Sequence, residues 1–206
     1  LGSKLFNWEE RKQRSGQRNG TKVTGVGVSV SPYVGGSLGY DGLLVIKSDG
    51  KMYIQSGIGN LGTHSVFDTT RAACEVLDFP FEDVSVAWGD TSRHLPWSAS
   101  QGGSQTTHAH TRANWAAGLD AKRKLQEIAA RDLGGAPDDY DVGGGRVYHR
   151  SNRSQYLTFA RAAERAIQIG GKYDGHELPE DINPYTAKSA TNLAGEGLMG
   201  VARDNF

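Results

Sequence analysis

The sequence contains a single cysteine, Cys74, among its 206 residues. One thiol cannot form an intrachain disulfide, and it excludes zinc or iron–sulfur sites built from several cysteines. The 23 basic and 23 acidic side chains give a formal net charge of zero, without the basic excess typical of nucleic-acid-binding proteins. No apolar run approaches the roughly 20 residues that a membrane-spanning helix needs. We therefore expect neither a nucleic-acid partner nor a transmembrane segment.

The start of the sequence also lacks a signal-peptide pattern. Together with the low cysteine content, this favours the cytoplasm. A twin-arginine signal on a partner, or on a longer N-terminus, would instead place the protein in the periplasm. Neither Leu1 nor Phe206 resembles a natural chain end, so we expect a fragment or a split subunit of a larger protein.

Glycine, by contrast, is abundant. The chain has 28 glycines, about twice the ordinary share of roughly 7%. They have no Gly-X-Y period, which excludes a collagen-like fold. They cluster between segments with helix or strand patterns, which indicates that they mark turns.

These patterns predict an α+β fold. Helices are predicted at 3–14, 63–77, 107–133 and 158–169, strands at 23–30, 84–88 and 146–149, and a hairpin at 43–56. Thr63 is the expected cap of the second helix. Hairpins and helices without regular alternation are typical of α+β proteins. Residues 1–171 are expected to form one domain, and the loop-like residues 172–206 to lead to a further domain or to wrap a partner.

Two glycine-rich loops are the main candidate binding sites. Residues 57–62 spell G-x-G-x-x-G between a strand and a helix, and Asp90 ends the next strand, as in a dinucleotide-binding site of the Rossmann type. The antiparallel hairpin before this loop does not suit a central parallel strand, and a ligand-free turn is a further alternative.

Residues 101–107 form the second loop, in front of the longest predicted helix. Gly102 and Gly103 remove side-chain bulk, while the neighbouring residues supply hydroxyl and amide groups. Such loops at helix N-termini bind polar, anionic ligands. A simple helix cap is the alternative.

Other polar residues indicate structural roles. His108 and His110 are two positions apart, so a helix would point them in different directions, and no metal site is expected. They are expected to serve as a polar cap or at an interface. Cys74 is expected to be a small core residue, and the basic run 122–124 a solvated helix face.

An ordered set of motifs runs along most of the chain. It comprises residues 6–11, 23–30, Gly59-Asn60-Leu61-Gly62-Thr63-His64-Ser65, 72–80, Trp88-Gly89-Asp90-Thr91, and 102–107 followed by helix 111–131. In this order the motifs resemble the molybdenum-cofactor-binding subunit of the xanthine dehydrogenase/aldehyde oxidase family. The specificity lies in the order of the set, because no single motif decides the match.

The resemblance implies a molybdenum-pterin cofactor, which bacterial relatives often use in the cytosine dinucleotide form. It implies that amides and hydroxyls hold the pterin, without metal–protein bonds. The implied contacts are Gly59 and Asn60 in the first loop, and Gln101, Gly102, Gly103, Ser104, Gln105 and Thr106 in the second. Leu61 is an extra residue relative to the family pattern, and Asn60 stands where glutamine is usual.

The resemblance also implies a catalytic base. Residues 194–200 are similar to the family's Gly-Val-Gly-Glu turn, which implies that Glu196 activates a metal-bound hydroxyl. The family's proline after this glutamate is absent here, and a simple turn carboxylate is the alternative.

The implied function is hydroxylation of an aldehyde, an N-heterocycle or another activated carbon with oxygen from water. The implied partners are the remainder of the molybdopterin subunit or a second cofactor-binding chain, an iron–sulfur subunit, and a flavin (FAD) subunit. Two other functions stay open from the residues alone: a dinucleotide-binding module of the Rossmann type, and a non-catalytic structural partner in a redox complex.

Overall fold

The first 34 residues form a small unit of their own in the computed structural model, which describes residues 1–36 and 38–203. The unit contains α1 (Gly2–Leu5), α2 (Trp8–Arg14), and the antiparallel pair β1 (Arg18–Asn19) and β2 (Lys22–Val23). The predicted helix 3–14 is interrupted because Asn7 adopts a left-handed φ of 52°. The predicted strand 23–30 is wrong beyond Val23, after which no strand is formed up to residue 30.

A four-stranded mixed sheet forms the centre of the second unit, which begins at Gly35. Its strands are β3 (Asp41–Lys47), β4 (Met52–Gln55), β5 (Val84–Ala87) and β9 (Gly197–Arg203), in the order β5-β4-β3-β9. The predicted hairpin is confirmed, because β3 and β4 are antiparallel and Gly50 takes a φ of 79° in the turn. β9 is antiparallel to β3, whereas β5 is parallel to β4. The predicted α+β class is confirmed.

Helices cover both faces of this sheet at β3. On one face, Leu44 and Ile46 belong to a buried apolar cluster with α4 (Arg71–Leu77), α5 (Thr111–Leu133) and α6 (Phe159–Ile169). On the other face, Leu43 and Val45 pack with Ala190 of α7 (Pro184–Thr191). A strand covered on both faces is apolar at every position rather than at alternate ones, which explains the continuous Leu43–Ile46 run.

The loop-like prediction for residues 172–206 is wrong. α7 and β9 lie in this segment, and β9 is buried from Gly197 to Val201. A Cβ added at Gly200 would lie 2.4 Å from the carbonyl oxygen of Ala117, so glycine is needed where β9 passes under α5. In the sequence, Gly197 and Gly200 of β9 resemble turn residues. The expectation that the segment leads to a further domain, or wraps a partner, stays a prediction.

The predicted helix 63–77 is divided in two. α3 (Ser65–Asp68) is followed by α4, and the cap position of α3 is His64, which has a φ of 56°. Thr63 is therefore not the helix cap. α4 ends at Leu77, the last residue of the predicted helix, and Asp78 follows it with a left-handed φ of 44°.

The predicted helix 107–133 begins with a π-helical turn at Thr106–His110, and α5 follows it. Leu125 and Ile128 lie on the buried side of α5. Leu119 is 46% exposed and does not belong to the apolar side. Lys124 is buried as well, so the run 122–124 is not a fully solvated face. Its ammonium donates hydrogen bonds to Asp120 at 2.6 Å and to the Met199 carbonyl at 2.8 Å.

A three-stranded antiparallel sheet lies between α5 and α6 in the sequence. Its strands are β6 (Tyr140–Gly143), β7 (Arg146–His149) and β8 (Asn152–Thr158), in sequence order. β7 was predicted from the sequence, whereas β6 and β8 were not. Short 3₁₀ turns at Phe81–Asp83, Thr91–Arg93 and Pro137–Asp139 connect the larger elements. Among the described residues, no helix has the length and apolar content needed to cross a membrane.

Candidate cofactor-binding groove

The two glycine-rich loops lie side by side and form the walls of one groove. The cavity has a volume of about 540 Å³. Its lining residues are Leu61, Thr63, Ser65, Asp68, Thr69, Gln101, Gly102, Ser104, Thr106, Thr107 and Thr111. Four of the predicted contact residues are in this set: Gln101, Gly102, Ser104 and Thr106. The groove is therefore the place where the two predicted loops meet.

The groove lies at the carboxyl end of β4. Residues 57–62 follow β4, and the chain then returns through α3 and α4 to the parallel strand β5. The first loop therefore begins the connection between the two parallel strands, at the carboxyl end of β4.

Gln101 joins the two loops. The Gly59 N–H donates to the Oε1 of Gln101 at 2.9 Å, and the Nε2 of Gln101 donates to the Gly59 carbonyl at 2.9 Å. The planar amide of Gln101 thus binds both backbone polar groups of Gly59, as the backbone of a neighbouring strand would do. The arrangement fixes the separation of the loops through contacts made within this chain.

Gly57 brings the chain close to a third segment. A Cβ added there would lie 1.9 Å from the carbonyl oxygen of Pro96, so no other residue fits. The hydroxyl of Ser98 donates to the Gly57 carbonyl at 3.0 Å. This glycine serves the packing of the loop and not the groove.

Asn60 stabilises the turn of the first loop. Its Oδ1 accepts a hydrogen bond from the Gly62 N–H at 2.9 Å, and Gly62 has a φ of 84°. Asn60 and Gly59 do not belong to the lining set. Within this chain, their polar groups are used to shape the loop.

Gln105 has a comparable role in the second loop. Its side chain is buried, and its amide donates to the Ser100 carbonyl. The Gly36 N–H donates to the Gly103 carbonyl at 2.7 Å. Gln105 and Gly103 therefore hold the loop in place, and neither is among the lining residues.

Gly102 differs from these glycines because it faces open space. A Cβ added at Gly102 would have no atom within 4 Å, and its φ is not left-handed. The protein itself therefore does not require glycine at this position. The absence of a side chain keeps the groove wide at this point.

The lining is rich in neutral hydrogen-bonding groups. Hydroxyls come from both helix starts: Thr63, Ser65 and Thr69 on one side, and Ser104, Thr106, Thr107 and Thr111 on the other. Only two of these seven residues, Ser104 and Thr106, were predicted from the sequence as cofactor contacts. The high density of serine and threonine in 63–70 and 104–111 is the signal that could have revealed the others. Asp68 is the charged member of the lining, and it lies 3.7 Å from Arg71.

A buried histidine lies beneath the groove. His110 is 1% exposed, and its Nδ1 lies 2.7 Å from the hydroxyl of Thr69, which lines the groove. Its Nε2 lies 3.3 Å from the hydroxyl of Ser56, at the end of β4. Burial lowers the pKa of His110 from 6.5 to about 4, so the ring is neutral near pH 7. The prediction of a polar cap or interface missed this role.

Further hydrogen bonds surround the ring of His110. The Thr69 hydroxyl donates to the Ser65 carbonyl at 2.6 Å, and the amide nitrogen of Asn114 lies 3.3 Å from Nδ1 of His110. The same amide nitrogen donates to the Thr69 carbonyl at 3.2 Å. The neutral ring therefore links β4, α3 and the start of α5, which are the elements that carry the groove.

The side chains of Cys74 and Asp90 are not readily available to a ligand. Cys74 is buried, as predicted, and burial raises the pKa of its thiol to about 11. The carboxylate of Asp90 accepts from the backbone N–H of Ser92 at 3.0 Å and from its hydroxyl at 2.6 Å. These hydrogen bonds lower the pKa of Asp90. A ribose would have to compete with this local turn for the carboxylate.

Glu196 lies at the opposite end of the sheet from the groove. It precedes β9, whose Gly197 pairs with Lys47, whereas the first loop follows Gln55, which pairs with Leu43. Four residues of strand separate Leu43 from Lys47, or about 14 Å. The carboxylate of Glu196 forms an ion pair with Lys47 at 2.7 Å. In the part of the chain that the structure describes, no group of three or more His, Cys, Asp or Glu could hold a metal ion.

Comparison with known proteins decides the family. The family model of the molybdopterin cofactor-binding domain matches residues 1–196. The chain belongs to this family. The match confirms the resemblance to molybdenum hydroxylases, since the molybdopterin-binding domain is the segment that the resemblance covers.

Relatives of this molybdopterin cofactor-binding domain include subunits of molybdenum enzymes. The aldehyde oxidoreductase molybdenum-binding subunit PaoC of Escherichia coli K12 is 30% identical over 176 residues, covering 82% of this chain and 23% of PaoC. The chain therefore spans about a quarter of this curated relative.

Two solved structures share the fold. The first is CO dehydrogenase from Oligotropha carboxidovorans, with a TM-score of 0.58 and 19% identity over 80% of this chain and 18% of that one. The second is quinoline 2-oxidoreductase from Pseudomonas putida 86, with a TM-score of 0.51 and 17% identity over 81% of this chain and 19% of that one.

Proposed function

We propose that the groove between residues 57–62 and 101–107 binds the pterin part of a molybdenum cofactor in a larger oxidoreductase. The observation that carries this proposal is the pair of hydrogen bonds between Gln101 and Gly59, which joins the two loops at one point and fixes the groove between them. A preformed groove binds a rigid ligand without the cost of ordering the loops.

The chemistry of the lining fits such a ligand. A pterin is a flat heterocycle with many donors and acceptors, and the groove offers hydroxyls on both sides and the open backbone of Gly102. We assign direct contacts to Gln101, Gly102, Ser104 and Thr106. We assign supporting roles to Gly59, Asn60, Gly103 and Gln105, which shape the loops.

When bound, the cofactor would supply the metal centre for a two-electron oxidation that takes its oxygen from water. This chain would bind and orient the cofactor. The neutral ring of His110 would hold Thr69 at the wall of the groove. The groove and Glu196 lie at opposite ends of β3, so Glu196 has no assigned role in the groove. Its role as catalytic base stays a prediction.

The remaining features of the proposal concern the assembled protein. The relative PaoC extends well beyond the segment that this chain matches. We propose that the remainder of the molybdopterin subunit, or a second cofactor-binding chain, completes the site. An iron–sulfur subunit and an FAD subunit would accept the electrons. The cytosine dinucleotide form of the cofactor is proposed, with the cytoplasm as the compartment and the periplasm as the alternative.

Elemental analysis of the purified native assembly, with mass spectrometry of the released organic cofactor, tests the proposal. Near-stoichiometric molybdenum or tungsten together with a pterin is the expected result. A nicotinamide or flavin without metal would contradict it and would support the dinucleotide module. An assembly without metal or organic cofactor would support the non-catalytic structural role.

A further inference from the structure

The exposed face of β7 and β8 carries a compact group of arginines and tyrosines. Tyr148 and Tyr156 are direct cross-strand partners. The guanidinium of Arg146 lies 4.5 Å from the ring centroid of Tyr156, and that of Arg153 lies 4.8 Å from the ring centroid of Tyr148. We call these four residues the Arg–Tyr ladder.

The ladder faces away from the core. Val147 and Leu157 are the neighbouring cross-strand pair, and both pack into the main apolar cluster. Side chains alternate between the two faces of a strand, so Arg146, Tyr148 and Tyr156 lie on the outer face. Arg146 and Arg153 are exposed, and Tyr156 is 38% exposed.

The ladder has an uncompensated positive charge. The strand register places Asp141 opposite Tyr148, but this carboxylate is bound by Lys122 at 2.7 Å and by Arg150 at 3.1 Å. Some arginines of the chain have a carboxylate partner, such as Arg165 with Asp132 at 2.6 Å. In the described residues, neither Arg146 nor Arg153 has a carboxylate within salt-bridge distance.

Stacking prepares these guanidiniums for a partner. An arginine that rests on an aromatic ring loses less side-chain freedom when it binds, and its N–H groups remain available at the ring edge. Arginine and tyrosine are both enriched at protein interfaces and among the residues that dominate binding energy. The ladder therefore has the composition of an interface in a region that the chain leaves exposed.

We propose that the Arg–Tyr ladder is a docking surface for a protein partner that presents aspartate or glutamate carboxylates. A carboxylate matches the planar fork of a guanidinium through two parallel hydrogen bonds. A nucleic acid fits less well, since phosphate-backbone binding uses many cations along a stripe and the ladder has two. The proposal does not depend on which cofactor the groove binds.

The test uses the purified full-length assembly with its partner chains. The double variant Arg146→Glu and Arg153→Glu is compared with Lys51→Glu and Lys188→Glu, which changes the net charge equally at exposed lysines elsewhere. Native mass spectrometry across a salt series reports dissociation. The ladder variant should bind its partner at least about tenfold more weakly, whereas the control variant should match the wild type.

A second pair of substitutions identifies the occupant. In Arg146→Lys with Arg153→Lys, a carbodiimide should crosslink the new amines to aspartate or glutamate of a partner chain. The milder Arg146→Gln and Arg153→Gln should fold normally, because both side chains are exposed, and should show an intermediate loss. Unchanged dissociation with no crosslink to a partner would overturn the proposal. Crosslinks only within the same polypeptide, or nucleic acid bound in place of protein, would also overturn it.

Discussion

Two hydrogen bonds of 2.9 Å join the side-chain amide of Gln101 to the backbone N–H and carbonyl of Gly59. They connect the loop that follows β4 with the loop that precedes α5. The groove exists because these two loops are held together at one point and diverge beyond it. Changes at this point should therefore affect ligand binding more than overall stability.

Gln101→Ala should lower the pterin content of the purified assembly while reducing stability only modestly. The two lost hydrogen bonds contribute about 1 kcal/mol each, so the melting temperature should fall by roughly 4–8 °C. The loops would no longer be held at a fixed distance. Gln168→Ala, at an exposed glutamine on α6, is the matched control. Equal pterin content in both variants would contradict the role of the Gln101 amide.

Two glycine substitutions should have opposite consequences. Gly57→Ala should destabilise the fold, because its Cβ would lie 1.9 Å from the Pro96 carbonyl oxygen. Gly102→Ala should fold normally, because its Cβ would meet nothing within 4 Å, but it should lose pterin by occupying the groove. Melting temperature and pterin content, measured on both variants, separate the two effects. A stable Gly102→Ala protein with full pterin content would remove Gly102 from the binding site.

His110 should make stability depend on pH in a defined direction. Its pKa is about 4 in the folded protein and 6.5 when unfolded. Below pH 6.5 the unfolded state binds a proton that the folded state does not, so stability is lost as the pH falls from about 6.5 to about 4 and changes no further below that. The stability that His110 contributes as a neutral ring is fully present above pH 6.5.

The variant His110→Asn isolates this effect. The variant should be less stable than the wild type at pH 7.5. At pH 5 the difference between their free energies of unfolding should be smaller by about 2 kcal/mol, because only in the wild type does residue 110 take up a proton on unfolding. His108→Gln, at an exposed neighbouring histidine, is the control and should show no such narrowing. A constant difference between His110→Asn and wild type at the two pH values would mean that His110 is not buried as a neutral ring. Melting curves of the full-length protein provide the measurement.

Lys124→Ala should be strongly destabilising, although the sequence places this residue in a basic run. Its ammonium binds Asp120 and the Met199 carbonyl, and Asp120 also accepts from the Val201 N–H at 3.0 Å. Lys124 is buried, but 30% of the Asp120 side chain is exposed, so the loss should lie below the roughly 3–5 kcal/mol that removing one partner of a fully buried ion pair costs. Lys188→Ala, at an exposed position of α7, should change stability by less than about 0.5 kcal/mol. Similar melting temperatures for the two variants would contradict the buried ion pair.

Local signals in the sequence were sufficient for some elements of the fold. The Asp49-Gly50 turn and the flanking apolar runs predicted the β3–β4 hairpin, because register and turn chemistry are local. The glycine clusters predicted both loops of the groove, and Gln101 and Gly102 were among the predicted contacts. These features depend on residues that are close in the sequence.

Other elements depend on distant residues and were missed. β9 pairs with β3 across about 150 residues, and its glycines at 197 and 200 are required by close contacts with β3 and α5. The burial of His110 depends on Ser56 and Thr69, which come from two other elements. The spacing of His108 and His110 in the sequence does not indicate that His110 is buried. The groove's hydroxyls were only partly found because α3 and α5 had to be packed together to bring them to one cavity.

Hydrogen–deuterium exchange with mass spectrometry tests most directly whether the two loops enclose the pterin. The full-length assembly is compared with and without its cofactor, at peptides that contain residues 57–62 and 101–107. The account predicts that the cofactor slows exchange in both loops, with no comparable change around Glu196 and Lys47. Protection confined to other segments, with both loops unchanged, would contradict it.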